Sequence, residues 1–338
     1  MKKKVLIGMS GGVDSSVAAH LLMRDYDVIG VTLLLHGNDD SDAKAVCKRL
    51  GIEHFSHNAE RDFSEHVIKN FTSEYLSART PNPCVLCNYH IKFGTMLELA
   101  EGLGIDFIAT GHYSRLLNFG GELFPARALH SEKDQTYALY RLNQKQLSHS
   151  LFPLGALKKS DVRAIAEEIG LSVAEKSDSQ DICFIPDGDY ASYIEKSFGT
   201  QPHGIFRGPN GENLGEHKGL IRYTVGQRRG LGIAYSERLF VSRLDAEKNE
   251  VVLGTEGCQS KRCVSASDIT FISKKPIPER FSCTAKIRYN AKAYPADITV
   301  KDGKITAVFE APQRGVCPGQ SLVLYDGDRL LGGGIIDT

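Results

Sequence analysis

The sequence predicts an α/β protein: a doubly wound, mostly parallel sheet, then a β-rich linker module and a C-terminal β-barrel-like domain. Three observations carry this. Short apolar runs alternate with helical periodicity through the first part of the chain, the pattern of a parallel sheet covered on both faces. A glycine-rich turn, GMSGGVDSS, joins the first apolar run to the first helical one. Beyond about Gly199 the long helical patterns vanish, and glycine-punctuated alternation replaces them.

KVLIG is the first expected strand, residues 14–24 the first helix, and DVIGVTLLL the second strand. Ser41 reads as the cap of a helix that Gly51 ends, with Lys48 and Arg49 in its last turn. An amphipathic helix is expected over residues 60–79. After TPNPCVLCN comes another, capped by Asn88 and ending near Gly104; DFIATGH is the next strand. In the second part, FRGPNGENLGEHKG and RLFVSRLDAEKNEVVLG read as strands around turns. ADITVKDGKITAVFEA is the clearest hairpin, because Ile298, Val300, Ile305, Ala307 and Phe309 alternate about Asp302-Gly303. These patterns divide the chain into residues 1–202, 203–260 and 261–338.

A chain of 338 residues has room for two or three domains. Its 41% hydrophobic and 24% charged content is that of a globular protein in water. No run approaches the ~18 apolar residues that cross a membrane. VLIGM is too short for a signal peptide's apolar core, so a cytoplasmic location is expected. Net charge is zero but unevenly placed: residues 203–338 carry 20 Lys/Arg against 15 Asp/Glu, leaving +5, and residues 1–202 carry −5. A polyanion would lean on the second part.

The loop GMSGGVDSS supplies glycines for close backbone approach, a helix N-terminus and serine hydroxyls, all suited to phosphate. It lacks the Walker lysine and is not G-x-G-x-x-G, so neither a P-loop nor a dinucleotide fold is expected. S-G-G-x-D-S instead resembles the pyrophosphate loop of ATP pyrophosphatases. Those enzymes split ATP between its α and β phosphates to adenylate a carbonyl oxygen that nitrogen or sulfur then replaces.

Eight cysteines, at 47, 84, 87, 183, 258, 263, 283 and 317, are too scattered for a disulfide framework and read as reduced thiols. Cys47 and Cys283 read as small buried hydrophobes. Cys84, Cys87 and Cys183 lie in polar or turn-rich surroundings. Together with TPNPCVLCN, ATGHY, KDQTYAL, DSQDICFIPDGDY, HKGLIRYTVGQRRGLGI, AKIRYN and PGQSLVLYDG, the loop resembles the bacterial tRNA-specific 2-thiouridylases. The resemblance runs the whole length, in the family's order.

The resemblance implies ATP with Mg2+ at Gly8, Met9, Ser10, Gly11, Gly12, Val13, Asp14 and Ser15, with Leu33 and Gly111 lining the adenine pocket. It implies target-base contacts at Asn82, Pro83 and Cys84, a nucleophile at Cys87 and a persulfide carrier at Cys183. Further tRNA contacts are implied at His112, Lys133, Asp134, Gln135, Arg288, Tyr289 and Gln320. The implied partners are tRNAs of the Lys, Glu and Gln type, and a relay protein or cysteine desulfurase as sulfur donor; the implied state is a monomer. Where Cys84 stands the family often has aspartate, and the change creates C-x-x-C. With Cys183 that gives three thiols able to hold a [4Fe-4S] cluster, the alternative to persulfide chemistry. Zinc on Cys84, Cys87 and His90 is a further alternative, lacking a fourth ligand. An amidating synthetase of the same nucleotide fold, or an RNA-binding module, are the competing classes. Arg228 and Arg229 read either as solvated or as a basic tip beside tRNA.

Overall fold

The computed structural model describes residues 2–37, 39–171 and 182–337. Its first layer is an all-parallel sheet of five strands: β1 Lys4–Gly8, β2 Asp27–Leu34, β3 Glu53–Asn58, β4 Phe107–Ala109 and, after the hairpin described below, β7 Ser150–Leu151. The spatial order is β3-β2-β1-β4-β7. Val5, Leu6 and Ile7 are fully buried because helices cover both faces of the central strand. On one face lie α1 Val13–Leu22, α2 Ser41–Leu50 and α6 Lys159–Glu168, with Val17, Ala18, Val46, Val162 and Ala166 in the shared core. The order reverses at β1, so the crevice between the ends of β1 and β4 is the topological switch point where such sheets receive ligands.

Two long helices complete this part. Residues 60–76 form α3 and residues 83–102 form α4. Each contains a π-helical stretch, Ser64–Ile68 in α3 and Cys87–Thr95 in α4. The wider π turn displaces backbone carbonyls, and Gln146 on α5 Gln144–Ser148 answers them. Its buried Nε2 donates to Tyr89 O at 2.9 Å and to Phe93 O at 3.0 Å.

Two helix starts differ from the expected ones. Asn88 lies inside α4; Asn82 caps it, with Pro83 at the first helical position, where a missing N–H costs nothing. The cap of α2 is Asp40 rather than Ser41, while Gly51 ends that helix in the left-handed region as expected (φ +70°).

Residues 114–127 hold an unexpected hairpin, β5 Ser114–Phe119 and β6 Glu122–Arg127, turning on Gly120-Gly121 with φ +60° and +85°. It belongs to the C-terminal sheet, since Ala126 pairs with Arg329. After α7 Tyr190–Phe198, strands β8 Gly204–Arg207, β9 Asn213–His217, β10 Phe240–Asp245 and β11 Glu250–Gly254 make a small sheet, order β10-β11-β8-β9. The last strands are β12 Ser260–Phe271, β13 Arg280–Lys286, β14 Tyr294–Lys301, β15 Lys304–Arg314, β16 Ser321–Asp326 and β17 Arg329–Ile336. They close into a barrel because β12 pairs with both β15 and β17. Asp302 and Gly303, at φ +49° and +72°, form the tight turn expected between β14 and β15. Among the described residues no helix is long and apolar enough to cross a membrane.

Candidate active site

The nucleotide loop forms where β1 must hand over to α1. Met9 N donates to Val31 O at 2.8 Å, which ends the strand pairing, and Gly11 then turns through φ +69°. Gly11 also abuts the start of α2: a Cβ on it would lie 2.5 Å from Asp42 Cβ. Gly12 caps α1 without a side chain, so the first N–H groups of that helix are left for a ligand. The serines fold inward. Ser16 Oγ donates to Gly12 O at 2.7 Å, and Ser10 Oγ and Ser15 Oγ stand 3.3 Å apart. From the β4 side, Gly111 closes on the loop so tightly that a Cβ would sit 2.8 Å from Asp14 C and Ser15 N. The structure thus brings Gly111 against residues 14–15 at the switch point. Leu33, near the end of β2, packs partly buried between the sheet and the α3 core.

Asp14, in the first turn of α1, is held from two directions. Tyr113 Oη donates to its Oδ1 at 2.8 Å, and Lys159 Nζ, from the first turn of α6, reaches Oδ1 at 2.8 Å and Oδ2 at 2.9 Å. Neither partner was anticipated from the sequence; Lys159 lies 145 positions from Asp14, and nothing local links the two.

Cys84 and Cys87 lie on the first turns of α4. Asn82 accepts from Cys84 N at 3.2 Å and fixes the start of the helix. One turn on, Cys87 is buried with Phe63, Phe71, Ile91, Phe184 and Ile185. Burial pushes its thiol up to about 12; Lys92 pulls the other way, and the neighbouring Cys183 and Cys84 push upward again. Lys92 is five residues on, the spacing that a π turn stacks above its start. Cys183 emerges between Ile182 and Phe184, whose ring is clamped edge-on by Phe63 and Phe71 at 5.5 and 5.2 Å. It is exposed, yet the surrounding protein mass still raises its thiol pKa. Cys84 is exposed. The preceding DSQD segment lies outside the described residues.

A cluster does not fit this arrangement. Among the described residues no three of His, Cys, Asp and Glu gather as a metal site. His90 stacks on His66 at 4.1 Å instead of turning to the cysteines.

The segment carrying Asn82 is fastened to the barrel. Thr80 N donates to Pro318 O at 2.8 Å, and Gln320 Nε2 donates to Thr80 O at 3.0 Å and Pro81 O at 3.2 Å. Arg79 Nη2 reaches Ile336 O at 3.2 Å. A cleft of about 250 Å³ between this segment and the barrel is lined by Pro81, Asn82, Leu86, Arg141 and Asp268, but by neither Cys87 nor Cys183. Of the other expected contacts, His112 is buried between Phe93 and Phe152 and bonded to Thr110 Oγ1 at 2.8 Å. Burial, and then Lys92, hold it well below the ordinary histidine range. Asp134 accepts from Ala128 N and Thr136, and Gln135 Oε1 accepts from Tyr113 N. Lys133 ends the short helical turn Ser131–Lys133 just before them. Tyr289 is exposed, edge-on to Tyr137 at 6.0 Å, and Arg288 lies against Gly315.

Three family models match successive stretches of the chain. Residues 3–187 match the tRNA methyl transferase HUP domain, residues 191–255 the tRNA methyl transferase PRC-barrel domain, and residues 261–336 the aminomethyltransferase β-barrel domain. The tRNA-specific 2-thiouridylase MnmA of Clostridium acetobutylicum is 47% identical, over 99% of this chain and 100% of its own. That of Acetivibrio thermocellus is 46% identical, over 99% of each. Among solved structures, the NMN synthetase of Francisella tularensis matches with a TM-score of 0.35 and 17% identity, over 53% of this chain and 67% of its own. By its full-length likeness to these thiouridylases, and by its match to the HUP-domain model over more than half its length, the chain belongs to the tRNA-specific 2-thiouridylase family.

Proposed function

We propose that this enzyme puts sulfur on C2 of the wobble uridine of tRNA, using ATP to activate the oxygen it replaces. One observation carries the reading: a single molecule joins a phosphate loop at the sheet's switch point to Cys87, which shares a core with Ile182 and Phe184 on either side of Cys183. The uridine leaves its stack to reach Asn82, Pro83 and Cys84, as bases do in other modifying enzymes. Its O2 attacks the α phosphorus of ATP, losing the N3 proton; the bond to the β phosphate breaks, and pyrophosphate leaves with the electron pair. The outer sulfur of a Cys183 persulfide then attacks C2. The C2–O2 bond breaks, and AMP departs with that oxygen.

Cys87, giving up its thiol proton, next attacks the Cys183 sulfur and breaks its bond to the sulfur now on C2. N3 regains a proton, leaving 2-thiouridine and a Cys87–Cys183 disulfide for an external dithiol to reduce. Mg2+ accompanies the phosphates. The +5 charge of residues 203–338, with Arg288 and Tyr289 on the barrel, favours a tRNA there. A relay protein or cysteine desulfurase supplies the persulfide, and the enzyme works as a cytoplasmic monomer.

The test supplies ATP, a persulfide-loaded donor and unmodified tRNA of the Lys, Glu or Gln type. Nuclease digestion and mass spectrometry should find 2-thiouridine and AMP in equal amounts. An aminated base, or AMP formed at the same rate without tRNA, would overturn the reading in favour of an amidating synthetase.

A further inference from the structure

We propose that Lys159 is the cation of the nucleotide loop, placed by Asp14 to neutralise the pyrophosphate released from ATP. The proposal rests on the ATP-splitting reading above and goes beyond it by naming a residue that the loop motif does not contain. Residues 8–16 hold no lysine or arginine, so the loop has backbone N–H groups and hydroxyls but no positive side chain of its own. Its surroundings are acidic: Asp14 is in it, and Asp42 is packed on Gly11. The α1 N-terminus offers about half a positive charge, a weak counter to a triphosphate among carboxylates.

Lys159 fills that gap by geometry. It opens α6, which packs along α1, and its side chain is only 13% exposed. A lysine this buried loses hydration, and both Asp14 oxygens make good the loss at 2.8 and 2.9 Å. Tyr113 Oη, bonded to the same carboxylate, fixes the rotamer of Asp14 and therefore the position of Nζ. Gly111, with no side chain, packs directly on the backbone of Asp14 and Ser15 and so fixes the turn that carries the carboxylate. In a Walker loop the lysine is local in sequence; here a second helix brings one to the carboxylate of the loop. The ammonium holds the negative charge that grows on the bridging oxygen as the α–β phosphate bond breaks.

Calorimetric titrations of wild type, Lys159→Met and Lys159→Arg with Mg-ATP, inorganic pyrophosphate, AMP and adenosine test this. One charge-assisted contact corresponds to about 10- to 100-fold in affinity. Lys159→Met should weaken ATP and pyrophosphate by that factor and adenosine by less than about threefold, with Lys159→Arg recovering most of the loss. Equal weakening of all four ligands would show a merely structural bridge between α1 and α6 and overturn the proposal. Undiminished ATP and pyrophosphate binding by Lys159→Met would do the same. A wild type that binds neither ATP nor pyrophosphate defeats the nucleotide reading itself. Should the Met variant not fold, Lys159→Gln carries the test: pyrophosphate affinity must fall more than adenosine affinity, and an equal fall in both overturns the assignment.

Discussion

Phe63, Phe71 and Phe184 exclude the water that would hydrate a Cys87 thiolate, so burial raises the pKa of this thiol. Below a pKa of about 12, the thiolate fraction grows about tenfold per pH unit. Iodoacetamide alkylation of Cys87 in the free enzyme, read by peptide mass spectrometry, should therefore climb without a plateau from pH 7 to 10. The same burial has a consequence for stability. The folded pKa lies above the ordinary 9.0, so the contribution is fully present below pH 9 and is lost as pH rises toward 12, at about 1.4 kcal/mol per unit. Cys87→Ser and Cys183→Ser should each abolish thiolation. Cys84→Asp should keep it, since Cys84 is exposed and stands at no metal site among the described residues. Loss of activity in the Asp variant together with loss of bound iron would revive the cluster.

At the scale of elements, two close approaches set the geometry of the site. Gly111→Ala puts a methyl 2.8 Å from the backbone of Asp14 and Ser15, so the loop must shift. ATP affinity should fall at least about tenfold, with about 1–3 kcal/mol of stability lost. Gln146→Leu removes the buried side-chain donor that bonds the π-turn carbonyls of Tyr89 and Phe93. Urea unfolding should show a loss of about 2–3 kcal/mol at unchanged slope. Sequence pattern reached much of this level: the parallel sheet, the phosphate loop and the Asp302-Gly303 turn each have a local signature. The Asn82-Pro83 pair did carry a cap signal, but the cysteines beside it drew the helix start onward to Asn88. Gly120-Gly121 likewise marks a hairpin. Lys159 and Gln146 had no such mark, because their roles exist only once distant helices are packed.

For the whole molecule, the barrel is less separate than the change of pattern near residue 260 suggests. Ile272, Val323, Tyr325 and Leu330 share one core with Phe124, Tyr137 and Tyr140. A chain ending at residue 260 would bare that core and should melt well below the intact protein. Binding of tRNA should weaken steeply with salt as phosphate contacts release counterions. A salt-insensitive affinity would count against the basic second part as its seat.

The pairing of Ala126 with Arg329 can also be read in time. Arg127 N finds its acceptor, Asp328 O, about 200 residues after it leaves the ribosome. At synthesis rates of roughly 5–20 residues per second, the hairpin waits about 10–40 s for its partner strand. Through that interval the newborn nucleotide domain carries an uncovered edge. It is then that a chaperone, or a second nascent copy, has its opportunity.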